Sequence, residues 1–191
     1  MPEQYSFRYF PEYIKWARFS DPPWNCCDDQ ETPCLNGIYF RTPGLPDEIC
    51  VHDLVVGKYR ADVPEELVPT LEHSVQVTFP DLTTDEVRLR CSSAVDTLSR
   101  TPPVPWIQNN LWPVCHGDFC QYIGEWDQEE LTKQAPDGKG LEYLMAILVD
   151  LDTSPIADPV GLWDEIATEW TTIFVFQCFT CGKRLAVEQS F

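Results

Sequence analysis

Hydrophobic and polar positions recur with a helical period between residues 84 and 99, and this predicts the clearest helix of the chain. Thr83 and Glu86 stand three residues apart, as in a capping box, so the helix should begin there. Pro102 and the prolines after it prevent its continuation. The apolar face consists of Val87, Leu89, Cys91, Ala94, Val95 and Leu98.

Two further segments are predicted to be helical. Residues 141–150 could form a helix or a buried strand, and their Leu, Met, Ala and Glu content favours a helix. Residues 158–170 form an amphipathic pattern with a proline at the first turn. Residues 61–75 are weakly helical, with an expected interruption at Pro69.

Alternating or β-branched stretches predict the strands. Residues 5–10 alternate aromatic and polar side chains, and residues 35–46 read as a strand that ends in a Pro-Gly turn. The β-branched and aromatic residues 172–179 predict a strand that turns at 178–182 and returns to form a hairpin over 172–190. In the tryptophan-rich stretch 105–126 we predict a strand over 108–114.

These patterns together predict one α+β domain spanning residues 1–191. We expect a mainly antiparallel sheet, a few helices, and cysteine-bearing, zinc-knuckle-like hairpins gathered at one end.

Cys178 and Cys181 form a C-x-x-C motif followed by Gly182 at the turn of the predicted hairpin. This spacing lets two thiolates reach one metal ion, and the glycine permits a tight backbone turn. Two alternatives stay open. The pair can be two buried thiols without a ligand, or a redox dithiol, although a redox pair usually begins at a helix N-terminus.

The stretch CHGDFC at 115–120 also contains side chains that can bind a metal or transfer protons: Cys115, His116, Asp118 and Cys120. The spacing between its two cysteines does not match a zinc knuckle. We interpret it as a turn at Gly117 followed by a short helix that Asp118 caps. The sequence shows no nucleophile elbow, phosphate-binding glycine loop or H-E-x-x-H motif, so we assign no catalytic and no cofactor-binding residue.

Composition limits the classes of partner. The chain carries 31 acidic and 13 basic residues, a formal net charge of −18. Such a charge repels nucleic acid and anionic membranes and attracts a basic protein, although it can also serve solubility alone. We see neither a secretory signal nor an apolar run of membrane-spanning length, and therefore expect a cytoplasmic protein. Its nine cysteines are then thiols or metal ligands rather than a disulfide framework.

The order of these elements resembles the CbrC family, also called the UPF0167 family, across nearly the whole chain. The stretches that carry the resemblance are NNLWPVCHGDFCQYIGE, LNGIYFRTPGLPDEICVHDLVVGK and the terminal FQCFTCGK. The family is one of uncharacterised bacterial proteins that are linked by name to colicin tolerance.

The resemblance implies an early metal site, and the candidate ligands of this chain are Cys27, Cys50, Cys178 and Cys181. Whether the late pair shares an ion with Cys27 and Cys50, with Cys115 and Cys120, or with no partner stays open. The family pattern places C-x-x-C-G in the early loop and C-P-x-C soon after it. Here Trp24 and Asp53 stand where two of those cysteines should be. An indole does not bind zinc, and a carboxylate is a harder ligand than a thiolate. We therefore expect a degenerate early site, with zinc substoichiometric or absent as the cofactor.

The resemblance implies no established enzymatic activity. We expect a non-enzymatic binding or tolerance protein of the immunity type, which engages a basic partner such as a nuclease toxin. The alternatives are a thiol-redox or metal-dependent enzyme that uses Cys178 and Cys181, and a structural zinc-binding domain.

Overall fold

The computed structural model describes residues 5–11, 18–19, 37–39, 48–149, 156 and 158–191. Within them the helices are α1 (Val51–Val56), α2 (Leu67–Thr78), α3 (Thr84–Ser99), α4 (Gln128–Gln134), α5 (Gly140–Ile147) and α6 (Pro159–Ala167). The strands are β1 (Arg18–Phe19), β2 (Gly37–Tyr39), β3 (Glu48–Cys50), β4 (Val114–Cys115), β5 (Asp118–Phe119), β6 (Gln121–Glu125), β7 (Thr171–Gln177) and β8 (Arg184–Ser190). All strand pairs in these sheets are antiparallel, so the chain has the predicted α+β architecture.

The sheet β6-β7-β8 organises the C-terminal half of the chain. Strand β7 pairs with β8 along its whole length, from Thr171 opposite Ser190 to Gln177 opposite Arg184. This confirms the predicted hairpin over 172–190, with its turn at the C-x-x-C motif. On its other side β7 pairs with β6, where an irregularity in register lies between Tyr122 and Gly124.

Strand β7 is buried on both faces and separates two hydrophobic clusters. Phe174 and Phe176 point into a larger cluster that includes residues of α1, α2 and α3. Ile173 and Val175 point to the opposite face, where residues of α4, α5 and α6 pack. Alternate side chains of one strand thus join the two halves of the core. A near-continuous apolar strand of this kind is the pattern expected of a strand covered on both sides.

Aromatic side chains fill the larger cluster. The rings of Trp106 and Phe176 stack with an interplanar angle of 15°, and Trp112 meets Phe176 edge-on at a centroid distance of 5.5 Å. Phe10 contacts Tyr122 edge-on at 4.7 Å. These geometries add specificity to the burial of large apolar surfaces.

Three helix predictions agree with the structure. The predicted helix at 84–99 is α3, and Thr83 and Glu86 form the full capping box at its start. The segment 141–150 is helical in α5. The segment 158–170 contains α6, which has a proline in its first turn. The Asp158 carboxylate caps this helix by accepting a hydrogen bond from the Gly161 N–H. Side-chain capping fixes the starts of α3 and α6.

Other predictions differ from the structure. Pro69 does not interrupt a helix, because it lies in the first turn of α2, where a missing N–H costs little. Of the strand predicted over 108–114, only Val114 is in a strand. Before it, the chain is held by a side-chain bond instead of strand pairing: the Trp112 indole N–H donates to the Cys120 carbonyl. Residues 5–10 keep the alternating burial but are not a strand; the Tyr9 carbonyl accepts one backbone bond from Tyr122.

The strand predicted over 35–46 is present where the structure describes it, at β2. Among the described residues, no helix combines the length and the apolar character needed to cross a membrane.

Replacing Thr83 by Ala should lower the free energy of unfolding by about 1 kcal/mol, because it removes the side-chain oxygen that accepts a hydrogen bond from the Glu86 N–H. The bond from the backbone N–H at position 83 to the Glu86 carboxylate does not need the threonine side chain. Urea denaturation followed by circular dichroism measures the loss of stability. The matched control is Thr70→Ala on α2, an exposed threonine inside a helix, which should change stability by less than about 0.5 kcal/mol. Equal losses in the two variants would contradict the capping argument.

Candidate metal centre

Two turns meet at one end of the C-terminal sheet. The β4–β5 hairpin directly precedes β6, and the β7–β8 turn directly follows β7. Gln121, the first residue of β6, lies opposite Gln177, the last residue of β7. The residues before β6 and after β7 therefore share the same sheet end, although they are more than 60 positions apart in the sequence.

The first turn is formed by His116 and Gly117, which both have positive φ, 54° and 70°. Two-residue turns of this kind match the twist of an antiparallel hairpin. The Gly117 N–H donates to the Ser74 hydroxyl on α2 at 2.9 Å. A Cβ on Gly117 would lie 3.0 Å from the Phe79 ring and 3.2 Å from the backbone of Val75, so a side chain here would need these neighbours to shift by a few tenths of an ångström.

The second turn carries the C-x-x-C-G motif. The Cys178 N–H donates to the Lys183 carbonyl at 2.9 Å, and the Gly182 N–H donates to the Cys178 carbonyl at 3.0 Å. Gly182 has a φ of 69°, which closes the turn in the left-handed region. The Thr180 N–H points at the Cys178 sulfur, 3.4 Å away. The backbone thus wraps around one sulfur atom, as it does in a zinc knuckle.

Four side chains converge between these turns: Cys115, His116, Cys178 and Cys181. The Cys115 and Cys181 sulfurs are 4.0 Å apart. The His116 Nδ1 atom lies 3.1 Å from the Cys115 sulfur and 3.6 Å from the Cys178 sulfur. One ligand atom from each residue lies within 4.8 Å of the others.

These separations fit a tetrahedral ion. Zinc bonds of about 2.3 Å to sulfur and about 2.0–2.1 Å to imidazole nitrogen put neighbouring ligand atoms roughly 3.5–3.8 Å apart. The observed distances of 3.1, 3.6 and 4.0 Å bracket that range. No two of the four ligand atoms are more than 4.8 Å apart, which exceeds the tetrahedral separation by about 1 Å at most.

The polar surroundings favour a thiolate at Cys178. Burial opposes its ionisation, but backbone N–H groups of Cys181 and Thr180, together with the neighbouring thiols, lower the pKa of Cys178 to about 7. Burial, and then its bond to Cys178, raises the pKa of Cys115 to about 12. Without a cation the cluster therefore accepts one negative charge more easily than several. A divalent ion would supply the missing positive charge.

The N-terminal segment supports this end of the sheet. The Arg8 guanidinium lies over the ring of Phe179, the residue after Cys178, at 4.7 Å from its centroid. Arg8 also pairs with the Asp118 carboxylate at 2.6 Å, and the Tyr9 hydroxyl donates to the same carboxylate. Asp118 lies in β5, so one carboxylate links the N-terminal segment to the first turn. Burial and this bond raise the pKa of Tyr9.

The structure places only some of the predicted ligands here. Cys178 and Cys181 belong to the four-residue group. Cys50 is buried at the start of α1 and is not a member of that group. Cys27 and Trp24 lie outside the described residues. Asp53 is buried inside α1, 4.0 Å from the Lys58 ammonium.

Sequence reasoning left open whether the C-x-x-C motif shares an ion with Cys27 and Cys50, with Cys115 and Cys120, or with no partner. The structure brings Cys115 to the motif together with His116, which sequence reasoning missed. The turn at Gly117 is confirmed, but the helix predicted from Asp118 is wrong, because Asp118 begins a strand and hydrogen-bonds across the fold. Cys120, the other cysteine of that stretch, is buried next to Pro113 and stays outside the group. A usable signal was present: His-Gly, flanked by Val-Cys and Asp-Phe, matches a two-residue hairpin turn.

The fold and this cluster define an α+β protein with two hairpins whose tips can hold a metal ion between them. The family model described as "Uncharacterised protein family (UPF0167)" matches residues 5–189, so the chain belongs to that family. Searches of the curated proteins and of the solved structures find no match.

Gly117→Ala should destabilise the protein more than Gly138→Ala. Both glycines have φ near 70°, but the space around Gly138 is open. The change at 138 should cost about 1 kcal/mol from backbone strain alone. The change at 117 should lower the free energy of unfolding by a further amount of about 1–3 kcal/mol, because the added methyl group is overpacked against α2. Urea unfolding of both variants measures the difference, and equal costs would show that α2 does not hold the turn.

Proposed function

We propose that this chain is a zinc-binding protein in which Cys115, His116, Cys178 and Cys181 hold one structural ion. The observation that carries the proposal is the convergence of three sulfurs and one imidazole nitrogen within 4.8 Å at the tips of two hairpins. Cys3His is an established ligand set for structural zinc.

The chemistry of the ligands supports zinc over harder ions. Three thiols and an imidazole favour a borderline-soft, tetrahedral cation, whereas magnesium and calcium prefer oxygen. Four protein ligands complete the tetrahedron and leave no position for a substrate. The site therefore suits a stabilising role better than Lewis-acid catalysis.

Such an ion would join parts of the chain that are distant in sequence. Cys115 and Cys181 are 66 residues apart, and closing a long loop has a substantial entropic cost. The pairing of β6 with β7, and Arg8, which contacts both Phe179 and Asp118, hold the two tips near each other. By bonding to residues of both tips, the ion would crosslink the two hairpins at this end of the sheet.

The protein purified without chelator should contain one zinc per chain, measured by emission spectrometry. Cys115→Ser should lower zinc affinity by more than the 10–100-fold that changes around a metal's ligands typically cost. The control is Cys50→Ser, which removes a cysteine outside the group and should leave the stoichiometry at one. Cobalt substitution gives a second readout through thiolate charge-transfer absorption.

Two outcomes would overturn this assignment. One is substoichiometric zinc in chelator-free protein, as expected if metal binding depended on the degenerate early site. The other is loss of zinc in Cys50→Ser with retention in Cys115→Ser, which would place the ion with the early cysteines instead.

A second candidate function rests on charge. The net charge of −18 supports the proposal that the protein engages a basic partner, such as the nuclease toxin that the resemblance suggests, in the cytoplasm. A reducing compartment also suits a centre of free thiols. The redox alternative has less support from the geometry, because Cys178 begins a hairpin turn rather than a helix.

Association with a basic partner should slow markedly between low and high salt, while dissociation changes little. Long-range attraction is screened within about 8 Å at physiological ionic strength, and the contacts of the interface set the off-rate. The partner is recovered by affinity capture from the native host, and its binding kinetics are measured at two salt concentrations. An on-rate that does not depend on salt would contradict the electrostatic argument.

A further inference from the structure

The sulfurs of the metal centre differ in their access to solvent. Cys181 is exposed, Cys115 is half-buried, and Cys178 is buried at 3% exposure. A dissolved oxidant therefore meets Cys181 first. The Cys115 sulfur, on the other hairpin, lies 4.0 Å from it.

Cys178 is a poor partner for Cys181 despite their closeness in sequence. Its sulfur accepts a hydrogen bond from the Thr180 N–H, and its own backbone closes the turn through Lys183 and Gly182. A bond within the C-x-x-C motif would take the Cys178 sulfur out of its hydrogen bond with the Thr180 N–H. A bond between Cys181 and Cys115 needs the two sulfurs to approach by only about 2 Å, to the 2.03–2.05 Å of a disulfide.

We propose that Cys115 and Cys181 form a reversible disulfide across the two hairpins when the protein meets a peroxide. The Cys181 thiolate attacks one peroxide oxygen, becomes a sulfenic acid and releases the other oxygen as hydroxide. The Cys115 thiol then attacks the Cys181 sulfur, forms the S–S bond and displaces the sulfenic oxygen, which leaves as water together with the thiol proton. The two electrons lost by the sulfurs reduce the peroxide, and a dithiol reductant reverses the reaction.

The pairing itself rests on the sulfur positions, while its link to the metal rests on the proposed zinc function. A disulfide and a zinc ion would compete for the same two sulfurs, so oxidation would release the ion. The bridge would join the same two turns that the ion joins. The oxidised, metal-free chain should therefore keep a covalent link between its hairpin tips, which a chain that only loses its metal does not have.

Peptide mapping identifies the bridge in the wild-type protein. Metal-free, reduced protein is treated with hydrogen peroxide, its remaining thiols are alkylated, and it is digested with chymotrypsin under non-reducing conditions. Cleavage after Phe119 separates Cys115 from Cys120, and cleavage after Phe179 separates Cys178 from Cys181. The expected product joins the peptides of Cys115 and Cys181. A Cys178–Cys181 link, or a Cys181 sulfinic acid without a cross-link, would overturn the proposal.

Two variants sharpen the assignment. Cys178→Ser should still form the bridge, whereas Cys115→Ser should lose it and accumulate oxidised Cys181. The reverse pattern would show that the C-x-x-C motif reacts within itself. The wild-type map does not depend on the variants, so a variant that fails to fold leaves the test intact.

A zinc-loaded sample separates this inference from the proposed function. With peroxide, zinc release to a chromogenic chelator should rise in step with the Cys115–Cys181 product. If no zinc binds but the bridge forms, the proposed zinc function fails and the pairing stands. If zinc binds and leaves as a Cys178–Cys181 bond forms, the zinc function stands and the pairing is wrong.

Discussion

The pairing of β6 with β7 is the constraint on which the candidate site depends. Setting Gln121 opposite Gln177 places the β4–β5 turn beside the C-x-x-C turn, although the two are distant in sequence. Beneath this pair, Tyr122 and Phe176 face the aromatic cluster, so a slip in register by one residue would turn Phe176 away from the aromatic cluster to the opposite face of the sheet. The burial of large rings thus fixes the positions of the ligands.

The site also shows why a cation suits this sheet end. One sulfur, that of Cys178, is stabilised as a thiolate by backbone N–H groups, while the raised pKa of Cys115 reflects burial and the bond to its neighbour. A metal-free cluster is therefore a set of thiols that compete for one charge. A divalent ion removes that competition, since each thiolate then faces positive charge rather than another thiolate.

The sequence predicted the elements whose signals are local. Thr83 and Glu86 fixed the start of α3, Pro159 marked α6, and β-branched residues around a Cys-x-x-Cys-Gly turn indicated the C-terminal hairpin. The β4–β5 hairpin was missed because its strands have two residues each, too few to show a period. The full ligand set was beyond sequence reasoning, because only the tertiary pairing of β6 with β7 brings His116 to Cys178.

The late centre does not need the early cysteine pairs to be complete. Its four candidate ligands come from the tips of the β4–β5 and β7–β8 hairpins, and within the described residues none of the early cysteines belongs to that group. The N-terminal segment is nevertheless coupled to it, because Arg8 contacts Phe179 on one turn and Asp118 behind the other. A change in the spacing of the turns would have to alter one of these two contacts. Arg8 and Tyr9 thus tie the N-terminal segment to both turns of the candidate centre, because the Tyr9 hydroxyl also donates to Asp118 and the Tyr9 ring lies 6.1 Å from that of Phe179.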